Sequence, residues 1–253
     1  MSTLAATDLY VRLGSREVLR STSLTLPRGR LVLLAGRNGA GKSTLLRTMI
    51  GAQPADRGLV LLENKAIVAW PDRERAQRIA FVPQQVDVPF EFTGRQLIAM
   101  GRYPHSGRHE EPTEADGEAI ARAIAAVDAA AFVDRAVPTL SGGEMRRIAV
   151  ARALATEAPF LLLDEPTANL DLEHALQLVA LLRRLATNGA GVLVASHDLN
   201  LLAPHCDHVA LLHEGRVYSE GPPQQVLWPG NVQAVFGVQS RSASGFFPRD
   251  FRL

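Results

Sequence analysis

Leu31-Val32-Leu33-Leu34-Ala35 runs directly into Gly36-Arg37-Asn38-Gly39-Ala40-Gly41-Lys42-Ser43-Thr44. Five apolar residues without alternation predict a strand buried on both faces, as in a parallel sheet. Residues 43–50 read as a helix, so strand, glycine-rich loop and helix make half of a βαβ unit. Residues 36–43 fit G-x-x-x-x-G-K-[ST]. The backbone N–H groups of Gly36, Asn38, Gly39, Ala40 and Gly41 can converge on phosphate oxygens, because the glycines present no Cβ to obstruct them. The helix starting near Lys42 aims its positive dipole end the same way. Lys42 can reach the β- and γ-phosphates and the Ser43 hydroxyl can ligate Mg²⁺, with Thr44 following. Only Lys42 and Lys65 among the 27 basic residues are lysines. A chain that elsewhere uses Arg for positive charge keeps a compact ammonium here, and the two are not interchangeable on a phosphate.

Away from this loop, residues 8–13, 22–26, 30–35, 59–63 and 79–82 are short Leu, Val and Ile runs bounded by Gly, Pro and Arg, which predict a β-rich opening third. Residues 83–112 alternate loop with a short helix. Ile120, Ile124, Val127 and Ala131 then recur at helical spacing, with Thr113 and Asp116 as a cap. This predicts a helical insert ending near residue 153. The α/β pattern resumes with strands at 160–163 and 192–195 around an amphipathic helix marked by Ala175, Leu178, Leu182 and Leu185. Residues 208–213 and 216–218 read as a hairpin turning at Glu214-Gly215. The C-terminal stretch predicts a short helix and a frayed end.

Phe160-Leu161-Leu162-Leu163-Asp164-Glu165 is an apolar strand ending in two carboxylates. Ligands of open α/β sheets bind at the carboxyl ends of the strands. Asp164 is placed to hold Mg²⁺ through water, and Glu165 to polarise the water that attacks a γ-phosphate. A GTPase has no need of the second carboxylate, whereas an ATPase with a carboxylate base does. Leu140-Ser141-Gly142-Gly143-Glu144 precedes a helix carrying Ile148, Ala149 and Leu154. Ser141 and Glu144 form a capping box. The two glycines also expose N–H groups at the helix start, which makes a second anion site. No other G-K-[ST] occurs in the chain, so this site serves the same nucleotide or one bound by another copy.

Residues 140–144 resemble the signature of ATP-binding cassette ATPases, and the likeness continues in order along almost the whole chain. Gln84, after Phe81-Val82-Pro83, matches the family's glutamine loop. Asp164 and Glu165 match its acidic strand, and Asn169-Leu170-Asp171 the loop that follows. His197, in Ser196-His197-Asp198, matches its switch histidine, and Gly221-Pro222 closes the common core. The resemblance implies an α/β fold: a P-loop NTPase core with a mixed central sheet, an N-terminal antiparallel β part and an inserted α-helical subdomain. It implies one domain over 1–253, with the core at about 1–86 and 154–225, the helical subdomain at about 87–153 and a C-terminal extension at about 226–253. ATP and Mg²⁺ are the implied cofactors, with Ser43, Gln84 and Asp164 toward the metal.

The implied assembly is a head-to-tail dimer of two copies. ATP on Lys42 of one is closed by Ser141, Gly142 and Gly143 of the other, with Asp171 also at the nucleotide. Glu165 acts as base, His197 contacts the γ-phosphate, and hydrolysis reopens the dimer. Three positions depart from the family pattern. The aromatic that stacks on adenine falls at Leu13, with Tyr10 an odd number of residues upstream and hence on the other strand face. Arg37 stands where Pro or Ser is commoner, and Met145 where Arg or Lys is commoner.

After Phe92-Thr93 comes Met100-Gly101-Arg102-Tyr103-Pro104-His105. A Gly-Arg-x-Pro-His run at this point resembles the ATPases of metal-chelate importers, those for ferric siderophores, haem and cobalamin. The bland reading is a solvated loop in which Arg102 and His105 are incidental. The resemblance implies an integral-membrane permease contacted through about 85–110, and a periplasmic or extracellular substrate-binding protein. An importer ATPase for another small solute and a soluble non-transport cassette ATPase stay open.

Composition sets outer bounds. With 253 residues, 47% hydrophobic and 21% charged, the chain is neither disordered nor collagen-like. A formal net charge of +1 gives no argument for nucleic acid. The single cysteine, Cys206, excludes an internal disulfide and fits a reducing compartment. No apolar run approaches the roughly 20 residues of a membrane span, and the N-terminus lacks the basic-then-apolar order of a secretory signal. The expectation is a soluble chain at the cytoplasmic face of the membrane, reached through the permease. His205-Cys206-Asp207-His208 has ligand residue types without the paired spacing of a zinc site, and is expected to begin a strand.

Overall fold

The structure, a computed structural model, describes residues 2–85, 92–105 and 113–239. Strands β1 (Thr3–Leu13) and β2 (Arg16–Pro27) form one long hairpin that turns at Gly14-Ser15. Both extend well beyond the expected 8–13 and 22–26. Their added residues include Thr, Ser, Arg and Glu, which mask the apolar alternation but still pair through the backbone. β3 (Leu31–Ala35) leads into α1 (Lys42–Met49). β4 (Arg57–Leu62) adds to β1 and β5 (Lys65–Ala66) to β4, completing an antiparallel sheet in the order β2-β1-β4-β5.

Next come α2 (Asp72–Arg78), β6 (Ile79–Val82), α3 (Gly94–Ala99), α4 (Glu114–Ala126) and α5 (Gly142–Ala155). Each of the last three starts in a reciprocal capping box: Thr93 with Gln96, Thr113 with Asp116, and Ser141 with Glu144. α4 stops short of the expected Ala131. Asp128, just beyond it, adopts a positive φ of 51°, which ends the helical path. Ala131 is exposed, and Ala129, Phe132 and Val133 enter the core in its place.

The chain continues through β7 (Phe160–Asp164), α6 (Leu172–Thr187), β8 (Gly191–Ser196), α7 (Leu199–Leu202), β9 (His208–His213), β10 (Arg216–Gly221), α8 (Pro223–Val226) and α9 (Pro229–Phe236). The expected hairpin at Glu214-Gly215 and the short C-terminal helix are present. The second sheet has the order β10-β9-β3-β8-β7-β6. It is parallel except for β10, hence mixed.

β3 lies inside this sheet because it has two apolar faces. Val32 and Leu34 pack in one cluster with α1 and the antiparallel sheet. Leu31, Leu33 and Ala35 pack in the other, with α3, α4, α5 and α6. Fully burying one such leucine contributes ~2 kcal/mol, so placing this strand at an edge would forfeit several. The segments 86–91 and 106–112, which take in part of the stretch at about 85–110 expected to meet a permease, lie outside the described residues, as does the end expected to fray. Among the described residues no helix is long and apolar enough to cross a membrane.

Candidate active site

β3, β8 and β7 are neighbours and parallel, so their carboxyl ends lie side by side. Ala35 pairs with Ser196, and Asp164 with Ala195. The residues that follow, Gly36, His197 and Glu165, therefore leave the sheet along one edge. α1 starts at the same edge. Its N-cap, Gly41, sits at φ 108°, which L side chains rarely adopt, and a Cβ there would lie 2.9 Å from Leu19 Cδ2. The loop is thus fixed in a shape only glycine permits, with Arg37, Asn38 and Gly39 exposed and Ala40 buried.

Lys42 is only 6% exposed. Its Nζ donates to Gly36 O at 2.8 Å and to Arg37 O at 3.4 Å, and stands 3.6 Å from Glu165 Oε1. Ser43 hydrogen-bonds the Asp164 carboxylate. Thr44 is half-buried one residue on. Asp164 is buried, and its Oδ1 is the one buried side-chain oxygen or nitrogen among the described residues with no hydrogen-bond partner. Burial pushes this carboxyl above the ordinary range and the charge of Glu165 adds to it, against the pull of Ser43, Lys42 and Arg47.

Glu165 is buried and held at φ 48°. Its N–H donates to Ala195 O at 2.8 Å. Its Oε2 accepts from Ser196 Oγ at 3.1 Å, and Oε1 lies 3.0 Å from His197 Nδ1. The His197 side chain is 62% exposed, so ammonium, carboxylate and imidazole form a row that leads from the interior to the surface. This arrangement can hold phosphate on one side and take a proton on the other.

The remaining candidates stand apart from that row. Gln84 is exposed just after β6. Ser141 and Gly142 are exposed at the start of α5, and the atoms nearest Gly142 and Gly143 outside their own helix belong to Asn169 and Leu170. The signature thus lies against the loop that follows the acidic strand. Asp171 caps α6: it accepts from His174 N at 2.9 Å and contacts His174 Nδ1 at 2.8 Å, which keeps its carboxyl below the usual range. Leu13 is 46% exposed at the end of β1, and Tyr10 is half-buried. Met145 is half-buried against the larger core cluster.

Two site residues escape the motif reading. Ser196 holds Glu165 and also accepts from Asp198 N at 3.1 Å. Its only signal is its place at a strand end next to His197. Arg146 is buried and donates to Pro83 O at 2.6 Å, to Asp164 O at 3.1 Å and to Glu165 O. Its signal is a cation in line with the buried Ala149, Val150 and Ala153 at helical spacing.

The Gly-Arg-x-Pro-His run is not a solvated loop. Arg102 is buried and donates to Asp116 Oδ1 at 2.7 Å, Ala155 O at 2.7 Å and Glu157 Oε2 at 2.9 Å. A Cβ on Gly101 would lie 2.2 Å from Arg152 O. Pro104 O accepts from Arg73 and Gln77 of α2, and His105 Nε2 meets Thr156 O at 2.8 Å. The run therefore fastens α2, α4 and the end of α5 together. Residues 205–208 likewise part into separate roles. Cys206 donates to Leu202 O, and burial pushes its thiol up to about 12. Asp207 accepts from Leu31 N and Arg183, and His208 lies 3.7 Å from Glu220.

Comparison with known proteins supplies context for this geometry. A family described as ABC transporter matches residues 19–168. The hemin import ATP-binding protein HmuV of Rhodococcus jostii is 43% identical over 93% of this chain, which covers 80% of that protein. The cobalamin import ATP-binding protein BtuD of Halobacterium salinarum is 42% identical over 94% of the chain, and here the chain spans only 59% of the relative's length. Among solved structures, a transporter described as of the metal-chelate type, in an inward-facing conformation, aligns with a TM-score of 0.81 at 26% identity, covering 94% of this chain and 90% of the other. An ATP-binding cassette in an ADP conformation aligns with a TM-score of 0.80 at 25% identity, covering 94% and 100%.

Proposed function

Because this chain belongs to the ABC transporter family, we propose that it is the ATP-hydrolysing subunit of a multi-subunit importer for a metal chelate: haem, a ferric siderophore or cobalamin. The observation that carries the reading is the row Lys42, Glu165 and His197 beside the buried, unpartnered Asp164 Oδ1. On this reading Lys42 exchanges the carbonyls of Gly36 and Arg37 for phosphate oxygens, and the N–H groups of the loop at 36–44 close round them. Glu165 takes the proton of the attacking water, held in place by Ser196, while His197 donates toward the γ-phosphate.

Mg²⁺ suits the donors present. Asp164 Oδ1 lacks a partner in a buried place, and Ser43 and Gln84 add oxygen donors of the hard kind this ion prefers. When bound, the ion offsets charge developing on the phosphates. The chain acts as a single nucleotide-binding domain, with the divisions inferred from its sequence. A second copy presents Ser141, Gly142 and Gly143 to the nucleotide; the exposure of Ser141 and Gly142 at the start of α5 supports that role. ATP closes this head-to-tail dimer and hydrolysis reopens it. The dimer works at the cytoplasmic face of the membrane on a permease met through about 85–110, fed by a substrate-binding protein. The hemin and cobalamin import relatives support the choice of cargo.

The test uses Glu165→Gln. Turnover should fall roughly 10²-fold or more, and light scattering with ATP should detect a dimer. The tagged variant, expressed in its own host and solubilised with ATP, should bring down a polytopic permease. Undiminished turnover would remove Glu165 as base. Recovery of ribosomal or DNA-bound material without a membrane protein would remove the transport reading and leave the ATPase.

A further inference from the structure

Arg146 lies on α5, five residues beyond Ser141, yet all three of its hydrogen bonds among the described residues leave the helical segments. They reach the carbonyls of Pro83, Asp164 and Glu165, at the ends of β6 and β7. A guanidinium is costly to bury unless fully hydrogen-bonded, and simple filling would be served by Leu or Met. What the arginine adds is a rigid fork of donors. That fork grips a residue in a rare conformation: Glu165 at φ 48°. Such backbone persists only where its surroundings over-determine it. Here β8 holds the Glu165 N–H through Ala195 O, and α5 holds its carbonyl through Arg146. The torsion of the carboxylate-bearing residue is thus clamped between the sheet and the signature helix.

Resting on the ATPase reading above, we infer that Arg146 is a positioning residue that couples the two nucleotide sites of the dimer: a phosphate from the second copy, docking on the start of α5, sets the geometry of Glu165 in this copy. α5 is a rigid element, so its exposed start at Ser141 and Gly142 and the side chain of Arg146 move together. Room for that movement exists. A cavity of about 410 Å³, lined by Arg146, Arg147, Val127, Leu178 and Leu181 among others, separates the end of α4 and α5 from α6. Tightly packed helices would resist such a shift.

The experiment compares full-chain wild type, Arg146→Gln and Arg146→Lys. Hydrolysis is followed against ATP concentration, alongside direct binding of a fluorescent ATP analogue and thermal melting. Arg146→Gln should lose roughly 10-fold or more in kcat, since small misplacements of a catalytic group are this costly. Its nucleotide affinity should stay within about twofold, because the phosphate loop is untouched. Its Hill coefficient should fall to 1 from a wild-type value above 1. Arg146→Lys should recover part of both, as an ammonium reaches some of the carbonyls. Unchanged turnover, a wild-type Hill coefficient already at 1, or a loss matching only the unfolded fraction would overturn the inference. A wild type that binds ATP analogue without hydrolysing it would instead overturn the ATPase reading, and the inference with it.

Discussion

Two regions of this chain are rich in charged side chains, and they spend them differently. Around Arg102 the charges interlock: Asp116 accepts from Arg102 and from Thr113, and Glu157 joins Arg102 to Arg122. Along the sheet edge at Lys42, valences are left over. Asp164 Oδ1 has no partner, and Lys42 leans on main-chain carbonyls. Buried polar groups that are fully satisfied rigidify a fold. Buried groups that are not mark where the molecule does chemistry. Both regions contain an arginine or lysine beside a carboxylate; what separates them is completeness.

Substitutions can break or sharpen that contrast. The largest effect is expected of Lys42→Ala, which should lower hydrolysis by roughly 10³-fold, the scale of losing a charge-stabilising donor, and should remove most nucleotide affinity in a binding assay. Undiminished binding would sink the phosphate-loop assignment. Arg102→Met should do the reverse. It strands Asp116 in a buried place, costing about 3 kcal/mol in denaturant unfolding, while turnover per folded molecule holds. A catalytic loss without a stability loss would move Arg102 into the functional region.

Asp164→Asn should gain about 1 kcal/mol in melting experiments, the usual size of gain from relieving a costly site residue, and should lose Mg²⁺-dependent hydrolysis. Its ionised carboxylate is disfavoured by burial in the folded state, so at neutral pH it subtracts from stability. A destabilised Asp164→Asn would mean that the sheet edge is as fully satisfied as the Arg102 region. The smallest effect is on the acid limb. Hydrogen bonds from Arg102 and Thr113 hold the Asp116 carboxyl at about 2 against 3.8 ordinarily. Its folded value is depressed, so its contribution is whole above the ordinary value and is lost as pH falls toward about 2. Asp116→Asn should lower stability throughout, because it breaks the buried pair with Arg102, and should flatten the curve within that window.

Much of this was legible in the sequence because the nucleotide edge is written in short, local terms. Continuous apolar runs at β3 and β7 give buried parallel strands, and the loop at 36–43 and Asp164-Glu165 follow them directly. The same directness holds for His197 after β8 and for the Glu214-Gly215 turn. What was not legible depends on contacts distant along the chain. α2 is Asp-Arg-Glu-Arg-Ala-Gln-Arg, buries none of its residues, and so has no apolar period to read. The burial of Arg102 depends on Asp116, fourteen positions away, and on Glu157, much farther. Arg146 reaches back to Pro83 and ahead to Glu165, so no local window contains its role. α4 failed at Asp128, where a single left-handed residue outweighs a periodicity that continues on paper.

The pairing of β7 with β8, Phe160 to Gly191 through Asp164 to Ala195, has an evolutionary consequence. Side chains alternate along a strand, so losing or gaining one residue in either strand would turn its faces over and carry Glu165 away from Ser196 and His197. Substitution can be explored freely at such a place, but change in length cannot. Drift by insertion and deletion must be absorbed in the connections, and descendants of this chain should be recognisable by an invariant count of residues along these two strands even after most of their side chains have been exchanged.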